Sequence, residues 1–110
     1  MYDLQQLTKI LTKDGKPGIL YIKGPHCPVC KQTTPVVEKL AIEGYKKVNV
    51  YVADISDRDD MQYATHYNVS SIPWMFIFNG RSPAPDTQLS GSQINWVNIQ
   101  NKLKNYGVTI

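Results

Sequence analysis

Apolar residues in this chain alternate between helical spacing and short, nearly continuous runs. The first segment, residues 3–13, has the helical pattern, and Asp3 is suited to be its N-cap. Its apolar positions are Leu4, Leu7, Ile10 and Leu11. After a turn sequence, Asp14 to Gly18, the run Ile19 to Lys23 is apolar at nearly every position. Such a run predicts a central strand that is covered on both faces.

A second helical pattern extends from Pro28 to Glu43. Pro28 suits the first helical position, where no backbone N–H is needed, and Gly44 ends the helix. The apolar positions are Val29, Val36, Val37, Leu40 and Ala41. Pro35 lies inside this helix, and we expect a kink there because proline removes one hydrogen bond of the helical ladder.

A second strand and a third helix follow. The stretch Val48 to Ile55 predicts the strand, and Ser56 to Asp60 opens a helix that ends near Asn68. We expect the inward face of that helix to carry Met61, Ala64 and Tyr67.

Two strands and a helix complete the chain. Trp74 to Phe78 and Thr87 to Ser90 predict strands joined by an Asn-Gly turn and a longer loop. The last helix is capped by Ser92 or a neighbour. We expect one face of that helix to carry Trp96, Ile99, Leu103 and Tyr106.

The predicted order is therefore α-β-α-β-α-β-β-α, in a single domain of residues 1–110. Strands joined through a helix run parallel with right-handed crossovers, whereas the last two strands form a hairpin. This is an α/β fold with a central mixed sheet of about four strands flanked by helices. Ligands of such sheets bind at the carboxyl edge of the strands, where the first strand meets its helix.

Composition narrows the classes of function. The chain has 110 residues, a net charge of +3 and 42% hydrophobic residues, as expected of one soluble globular domain. Its lysines are scattered, so we expect no nucleic-acid partner. No apolar run is long enough to cross a bilayer, and the N-terminus lacks the pattern of a signal peptide. We therefore expect a cytoplasmic protein with no membrane partner, and a monomer.

Cys27 and Cys30 are the only cysteines, and they fall between the first strand and the N-terminus of its helix. Unpaired N–H groups and the positive end of the helix dipole favour a thiolate there. A thiolate is the nucleophile of disulfide exchange, and a second thiol nearby can resolve the mixed disulfide. We expect Cys27, at the N-cap, to be the exposed nucleophile and Cys30, one turn inside, to be the resolving thiol.

Other interpretations of the pair remain open. A structural disulfide would close a very short loop and so constrain the unfolded chain little. A zinc site needs about four ligands, and the pair supplies two. His26 and His66 are the only imidazoles and lack zinc-finger spacing. A metal shared between two chains stays an alternative.

Taken together, these residues resemble the thioredoxin superfamily over nearly the whole chain. The motif Cys27-Pro28-Val29-Cys30 follows a buried strand, Lys31 comes next, and Pro35 lies five residues after the second cysteine, as in thioredoxins. The other matches are the loop Ser71-Ile72-Pro73 with its implied cis-proline, the strand and turn Phe76 to Gly80, and Gly91 beyond the hairpin.

Several positions depart from that family. The chain lacks the extra first strand, His26 replaces the tryptophan usual before the dithiol, and Tyr21 falls where thioredoxins bury an aspartate. Val52 falls where that aspartate has a lysine partner. Proline after the first cysteine, here Pro28, is typical of glutaredoxins. The Gly-Gly followed by an acidic pair, which is their glutathione signature, is missing from this sequence. Trp74 replaces the threonine that is common after the cis-proline.

The resemblance implies a thiol–disulfide oxidoreductase that reduces or exchanges protein disulfides, with a reductase or glutathione as electron donor and with no metal or organic cofactor. Two alternatives stay open. One is a glutaredoxin-like, glutathione-linked reductase, and the other is a thioredoxin-fold binding module whose dithiol is redox-silent or holds a metal. The implied substrate-binding residues are Pro28, Val29, Ile72, Pro73, Trp74 and Gly91.

Neighbouring side chains are expected to tune the dithiol. The cations near Cys27 are Lys23, Lys31 and His26, and a protonated imidazole beside the sulfur lowers the pKa of the thiol by its charge. Tyr21 takes the place of the family's buried carboxylate. Its hydroxyl, if it points inward, or a water molecule would then receive the proton of the resolving thiol.

Overall fold

The computed structural model describes residues 2–110; Met1, the first residue of the N-terminal stretch considered above, lies outside them. Within that range the predicted order α-β-α-β-α-β-β-α is confirmed. The helices are α1 (Leu4–Leu11), α2 (Pro28–Glu43), α3 (Arg58–His66) and α4 (Trp96–Lys104). The strands are β1 (Gly18–Lys23), β2 (Asn49–Asp54), β3 (Trp74–Phe78) and β4 (Thr87–Ser90). Short 3-10 turns occupy Lys13–Gly15 and Gly91–Gln93.

The strands form one mixed sheet in the order β2-β1-β3-β4. β1 pairs in parallel with β2, from Gly18 opposite Asn49 to Lys23 opposite Asp54. It pairs antiparallel with β3, which in turn pairs antiparallel with β4. The predicted mixed four-stranded sheet is therefore confirmed, and β1 lies inside it, as expected of its continuous apolar run.

β1 contributes to two apolar cores, one on each face of the sheet. Ile19 and Tyr21 belong to the first core and Leu20 and Ile22 to the second, and all four side chains are fully buried. The first core also contains Val37, Leu40, Met75, Ile77, Ile99 and Leu103. The second contains Leu7, Leu11, Tyr63, Ala64, Phe76 and Phe78. Helices α2 and α4 thus cover one face, and α1 and α3 the other.

The end of α1 and the cap of α4 differ from the predicted ones. Asp3 caps α1 as predicted, but the helix ends two residues early because the chain tightens into a 3-10 turn in which Asp14 has a left-handed φ of 60°. At the other end of the chain, Asn95 rather than Ser92 caps α4. Its side-chain oxygen accepts a hydrogen bond from the Asn98 N–H at 2.9 Å.

The inward face of α3 also differs from the prediction. Tyr63 and Ala64 are buried, whereas Met61 is 45% exposed. Asp60 sets this rotation, because its carboxylate accepts hydrogen bonds from the Tyr51 hydroxyl at 2.8 Å and from a backbone N–H of β2 at 3.0 Å. The helix is therefore held against the edge of the sheet through Asp60, and the neighbouring methionine points away.

α2 is the longest helix, with 16 residues, and it runs continuously through Pro35. Proline has no backbone N–H, so the carbonyl of Lys31, four residues earlier, receives no ladder hydrogen bond. No helix described between residues 2 and 110 is long and apolar enough to span a membrane.

Candidate active site

The two cysteines lie where β1 ends and α2 begins. Cys27 is the N-cap of α2, with an extended backbone (φ −117°, ψ 98°), and its sulfur accepts a hydrogen bond from the Cys30 N–H at 3.1 Å. The sulfurs are joined in a disulfide, and the two Cα atoms are 5.2 Å apart. The pair therefore occupies the predicted position, where the first helical N–H groups favour negative charge on sulfur.

Both cysteines are nearly buried. Cys27 is 8% exposed and Cys30 is 4% exposed, so the prediction that Cys27 stays exposed is wrong for the disulfide form. The sulfur of Cys27 turns inward toward the Cys30 N–H, while Pro28 and Val29 are exposed at the start of the helix. Cys27 is still the more accessible of the two, which is the order that its predicted role requires.

His26 lies on the exposed turn immediately before the dithiol. Its backbone has a left-handed φ of 57°, a conformation that histidine adopts more readily than most residues with a Cβ. This turn places the imidazole on the wall of an open cavity that also contains both cysteines.

That cavity, of about 370 Å³, brings the three predicted cations to the same face of the disulfide. Beside the cysteines, its lining includes Lys23, His26, Lys31, Thr34 and Glu38. Because two lysines and one glutamate line it, the cavity favours a thiolate and attracts negatively charged groups.

Lys23 is already engaged by a carboxylate. Its Nζ lies 3.8 Å from Asp54 Oδ2, on the neighbouring strand β2. Hydrogen bonds from the Ser56 side chain and backbone, and then the charge of Lys23, hold the pKa of Asp54 below its usual value. Asp54 therefore offsets part of the electrostatic effect of Lys23 on the dithiol. Lys31, in contrast, is exposed and forms no ion pair among residues 2–110.

Tyr21 is fully buried beneath α2, opposite Val52 in the sheet register. Its hydroxyl lies 2.6 Å from Thr33 Oγ1 and 2.9 Å from Thr34 Oγ1. The hydroxyl thus points inward, but its hydrogen-bond partners are threonines one turn beyond the dithiol rather than a cysteine.

These threonines were not among the site residues predicted from the sequence. Thr33 is buried at 3% exposure, and its hydroxyl also donates to the Val29 carbonyl at 3.2 Å. Its position three residues after Cys30, on the inward face of the helix, was the available signal. Thr34 lines the dithiol cavity, so the hydroxyl cluster Tyr21–Thr33–Thr34 connects the interior beneath α2 to the wall of that cavity.

The loop before β3 lies against the loop before the dithiol. The Ile72–Pro73 peptide bond is cis, as predicted. A Cβ added at Gly24 would come within 2.8 Å of Ile72 Cδ1, so the two loops touch. Gly91 donates its N–H to the Pro73 carbonyl at 3.0 Å. Ile72, Pro73 and Gly91 are thereby held together at the same end of the sheet as the dithiol.

Trp74 is partly buried and packs against the second core, with its ring 6.3 Å from that of Phe76. Its indole N–H is buried without a hydrogen-bond partner among residues 2–110. Part of the ring is therefore packed against this core, whereas Val29 is 37% exposed.

No group of three or more His, Cys, Asp or Glu side chains converges on a common point within residues 2–110. The sulfurs of the dithiol are bonded to each other. A metal at this site would accordingly need ligands from a second chain.

The sequence is similar to those of known proteins that contain thioredoxin domains. Residues 3–105 match the family model described as Thioredoxin. The chain is 28% identical over 87 residues to a protein disulfide-isomerase, erp38, of Neurospora crassa, which covers 78% of this chain and 24% of that protein. It is 35% identical over 75 residues to a thioredoxin-like protein of Haemophilus influenzae, covering 59% of this chain and 45% of that protein. The chain thus spans less than half the length of these curated relatives.

Solved structures of thioredoxins share the fold. Thioredoxin of Malassezia sympodialis superposes with a TM-score of 0.74 at 19% identity, covering 98% of this chain and 89% of that one. Thioredoxin of Fasciola hepatica gives 0.75 at 18% identity, covering 93% and 92%. These similarities confirm the predicted thioredoxin-like fold. Since the family model also spans nearly the whole sequence, this chain belongs to the thioredoxin family.

Proposed function

We propose that this protein is a thiol–disulfide oxidoreductase that reduces or exchanges protein disulfides through Cys27 and Cys30. The disulfide between these residues, at the N-terminus of α2, is the main support for this function. A pair that closes so short a loop contributes little to the stability of the fold, whereas its position suits reversible sulfur chemistry.

The reaction begins with the reduced protein. The Cys27 thiolate attacks one sulfur of the substrate disulfide, and the other substrate sulfur leaves as a thiolate that takes a proton from solvent. Cys27 and the substrate are then joined in a mixed disulfide. The hydrogen bond that the Cys30 N–H donates to Cys27 Sγ stabilises the attacking thiolate.

Resolution forms the bond seen in the structure. Cys30 loses its proton and attacks Cys27 Sγ, which closes the Cys27–Cys30 disulfide and releases the second substrate thiol. The substrate gains two electrons from the protein and two protons, one equivalent to that lost by Cys30 and one from solvent. A reductase or glutathione returns the two electrons, and the protein thereby takes part in the redox homeostasis of the cell.

The substrate is a protein segment that lies across the mouth of the dithiol. Pro28 and Val29 are exposed at the start of α2, and the Ile72–Pro73 loop faces the same end of the sheet. An extended segment can pair with backbone groups in such a loop, much as a strand adds to a sheet. Trp74 and Gly91 complete this surface behind the loop.

The environment of the dithiol tunes its chemistry. His26 and Lys31 supply exposed positive charge, and Lys23 contributes less because Asp54 offsets it. Tyr21 acts through Thr33 and Thr34 as a positioning residue beneath α2. We further propose that the protein works as a monomer in the cytoplasm, where a reducing environment returns the dithiol to its active form.

Trapping of the mixed disulfide tests this function. Cys30→Ser retains the nucleophile but removes the resolving thiol, so it should accumulate covalent adducts with a disulfide-bonded test protein that dithiothreitol releases. Cys27→Ser should form none, and the wild-type protein should turn the substrate over. If Cys30→Ser forms no adduct and the wild-type protein shows no reductase activity, the results would favour a binding module.

A further inference from the structure

A second cavity, of about 300 Å³, lies at the end of the sheet opposite the dithiol. It is located just before β1, at Pro17, and just after the antiparallel strand β3, at Asn79. Tyr106 and Val108 of the segment after α4 form another wall. This volume is at the lower end of the range of small-molecule sites.

The lining of this cavity is basic. It contains Lys16, Lys47 and Arg81 and no aspartate or glutamate. The two ion pairs found among residues 2–110 lie elsewhere, so none of these three cations has a carboxylate partner. Cations that converge on a concave surface without counter-charges raise the local potential and favour an anionic ligand.

Contacts within the protein hold the walls in place. Lys47 Nζ donates to the Thr109 carbonyl at 2.6 Å, which fixes its ammonium group at the rim. Gly80 has a left-handed φ of 88°, and it packs so closely on the carbonyl of Gly15 that any Cβ would collide with it. The two loops that carry Lys16 and Arg81 are therefore in direct contact, and the cavity is formed before a ligand arrives.

Polar groups accompany the cations. The side-chain oxygen of Asn79 accepts hydrogen bonds from the N–H groups of Arg81 and Ser82 at 2.8 and 3.2 Å. These bonds stabilise the turn that places Arg81 in the lining of the cavity. Asp86 accepts a hydrogen bond from the hydroxyl of the lining residue Tyr106, and so it is directed to the tyrosine rather than to the cations.

We propose that this cavity binds a small phosphorylated molecule. A guanidinium fork and two ammonium groups match the doubly charged, three-oxygen face of a phosphomonoester better than a single carboxylate. The phosphate lies among Lys16, Lys47 and Arg81, and the body of the molecule lies against Pro17, Tyr106 and Val108. The site is separate from the dithiol and does not depend on the proposed redox function.

Calorimetric titration at low ionic strength tests this site, with AMP, inorganic phosphate and adenosine as probes. AMP should bind one to one, inorganic phosphate should displace it, and adenosine should bind much more weakly. Arg81→Gln should weaken AMP binding about tenfold, which is the loss expected for one charge-assisted contact. Arg58→Gln is a matched control, because Arg58 is the only other arginine and lies outside the cavity.

Both arginines are exposed, so both variants should fold, and melting curves would verify this. No saturable binding of AMP would overturn the proposal. Three other results would also overturn it. Adenosine could bind as tightly as AMP, or inorganic phosphate could fail to displace AMP. Finally, Arg58→Gln could weaken the binding of AMP as much as Arg81→Gln does. The last result would show that net charge alone attracts the nucleotide.

Discussion

The hydroxyl of Tyr21 lies 2.6 Å from Oγ1 of Thr33, in the fully buried layer between β1 and the dithiol helix. This bond links the strand that precedes the cysteines to the helix that follows them. Since Thr33 also donates to the Val29 carbonyl, the bond restrains the first turns of α2, where the dithiol is located.

Tyr21→Phe removes the hydroxyl but keeps the ring. The two threonines then lose a buried partner, and we expect the free energy of unfolding to fall by about 1–2 kcal/mol. Chemical denaturation of the oxidised protein measures it. Tyr45→Phe is the control, because Tyr45 is 67% exposed and its change should stay within about 0.5 kcal/mol. Equal effects of the two substitutions would contradict a structural role for the buried hydroxyl.

The same variant tests the relation of Tyr21 to the resolving thiol. As a positioning residue, Tyr21 should affect the rate at which Cys30 resolves a mixed disulfide more than the rate at which Cys27 attacks. Stopped-flow measurement of the two steps separates them. A loss of stability with both rates unchanged would leave the hydroxyl cluster with a purely structural role.

Cys27 should be the reactive thiol of the reduced protein. It is the N-cap, its sulfur accepts the helical N–H, and it is the less buried of the two cysteine residues, so iodoacetamide near neutral pH should modify it first. Peptide mass mapping at short reaction times gives the order. The oxidised protein, which should remain unmodified, serves as the control, and faster modification of Cys30 would reverse the assigned roles.

Removal of the His26 imidazole should raise the pKa of the Cys27 thiol, because a positive charge beside the sulfur is lost. The rise should be modest, because His26 is exposed and solvent screens its charge. His26→Asn is preferable to His26→Ala, since asparagine tolerates the left-handed backbone of this turn. Thiolate absorbance against pH measures the shift, and an unchanged thiol pKa would make His26 a simple turn residue.

Asp54 should contribute stability that depends on pH. Hydrogen bonds from Ser56 and the charge of Lys23 lower its pKa in the folded protein. The contribution is therefore present above the unfolded value of about 3.9 and is lost as the pH falls through the lower, folded pKa. Asp54→Asn should reduce the free energy of unfolding at pH 7 by a small amount, since the carboxylate is partly exposed, and the deficit should shrink below about pH 4. A deficit that is constant from pH 3 to pH 7 would exclude this linkage.

Local patterns in the sequence were sufficient for the order of elements, the central strand and the position of the dithiol. Hydrophobic periodicity and Pro28 at the first helical position act within a few residues, and so they can be recognised without knowing the partners of each element. The inward position of β1 follows in the same way from its continuous apolar run.

Features that depend on contacts between elements could not be predicted. The rotation of α3 is set by Asp60, which hydrogen-bonds to β2, and apolar spacing alone favoured Met61 over Tyr63. The burial of Cys27 depends on the direction of its sulfur. The partners of Tyr21 required the register of a strand against a helix, and the basic cavity combines loops distant in the sequence.

The reduction potential of the Cys27–Cys30 pair is the sharpest test of the proposed oxidoreductase function. The protein would be equilibrated with defined mixtures of reduced and oxidised thiols, quenched with acid, and its free thiols counted by alkylation and mass. We predict a reversible two-electron transition between the dithiol and the intramolecular disulfide, with a midpoint between about −300 and −120 mV. A pair that stays oxidised or reduced across this whole range, or that collects as a single-cysteine adduct, would contradict the proposed oxidoreductase.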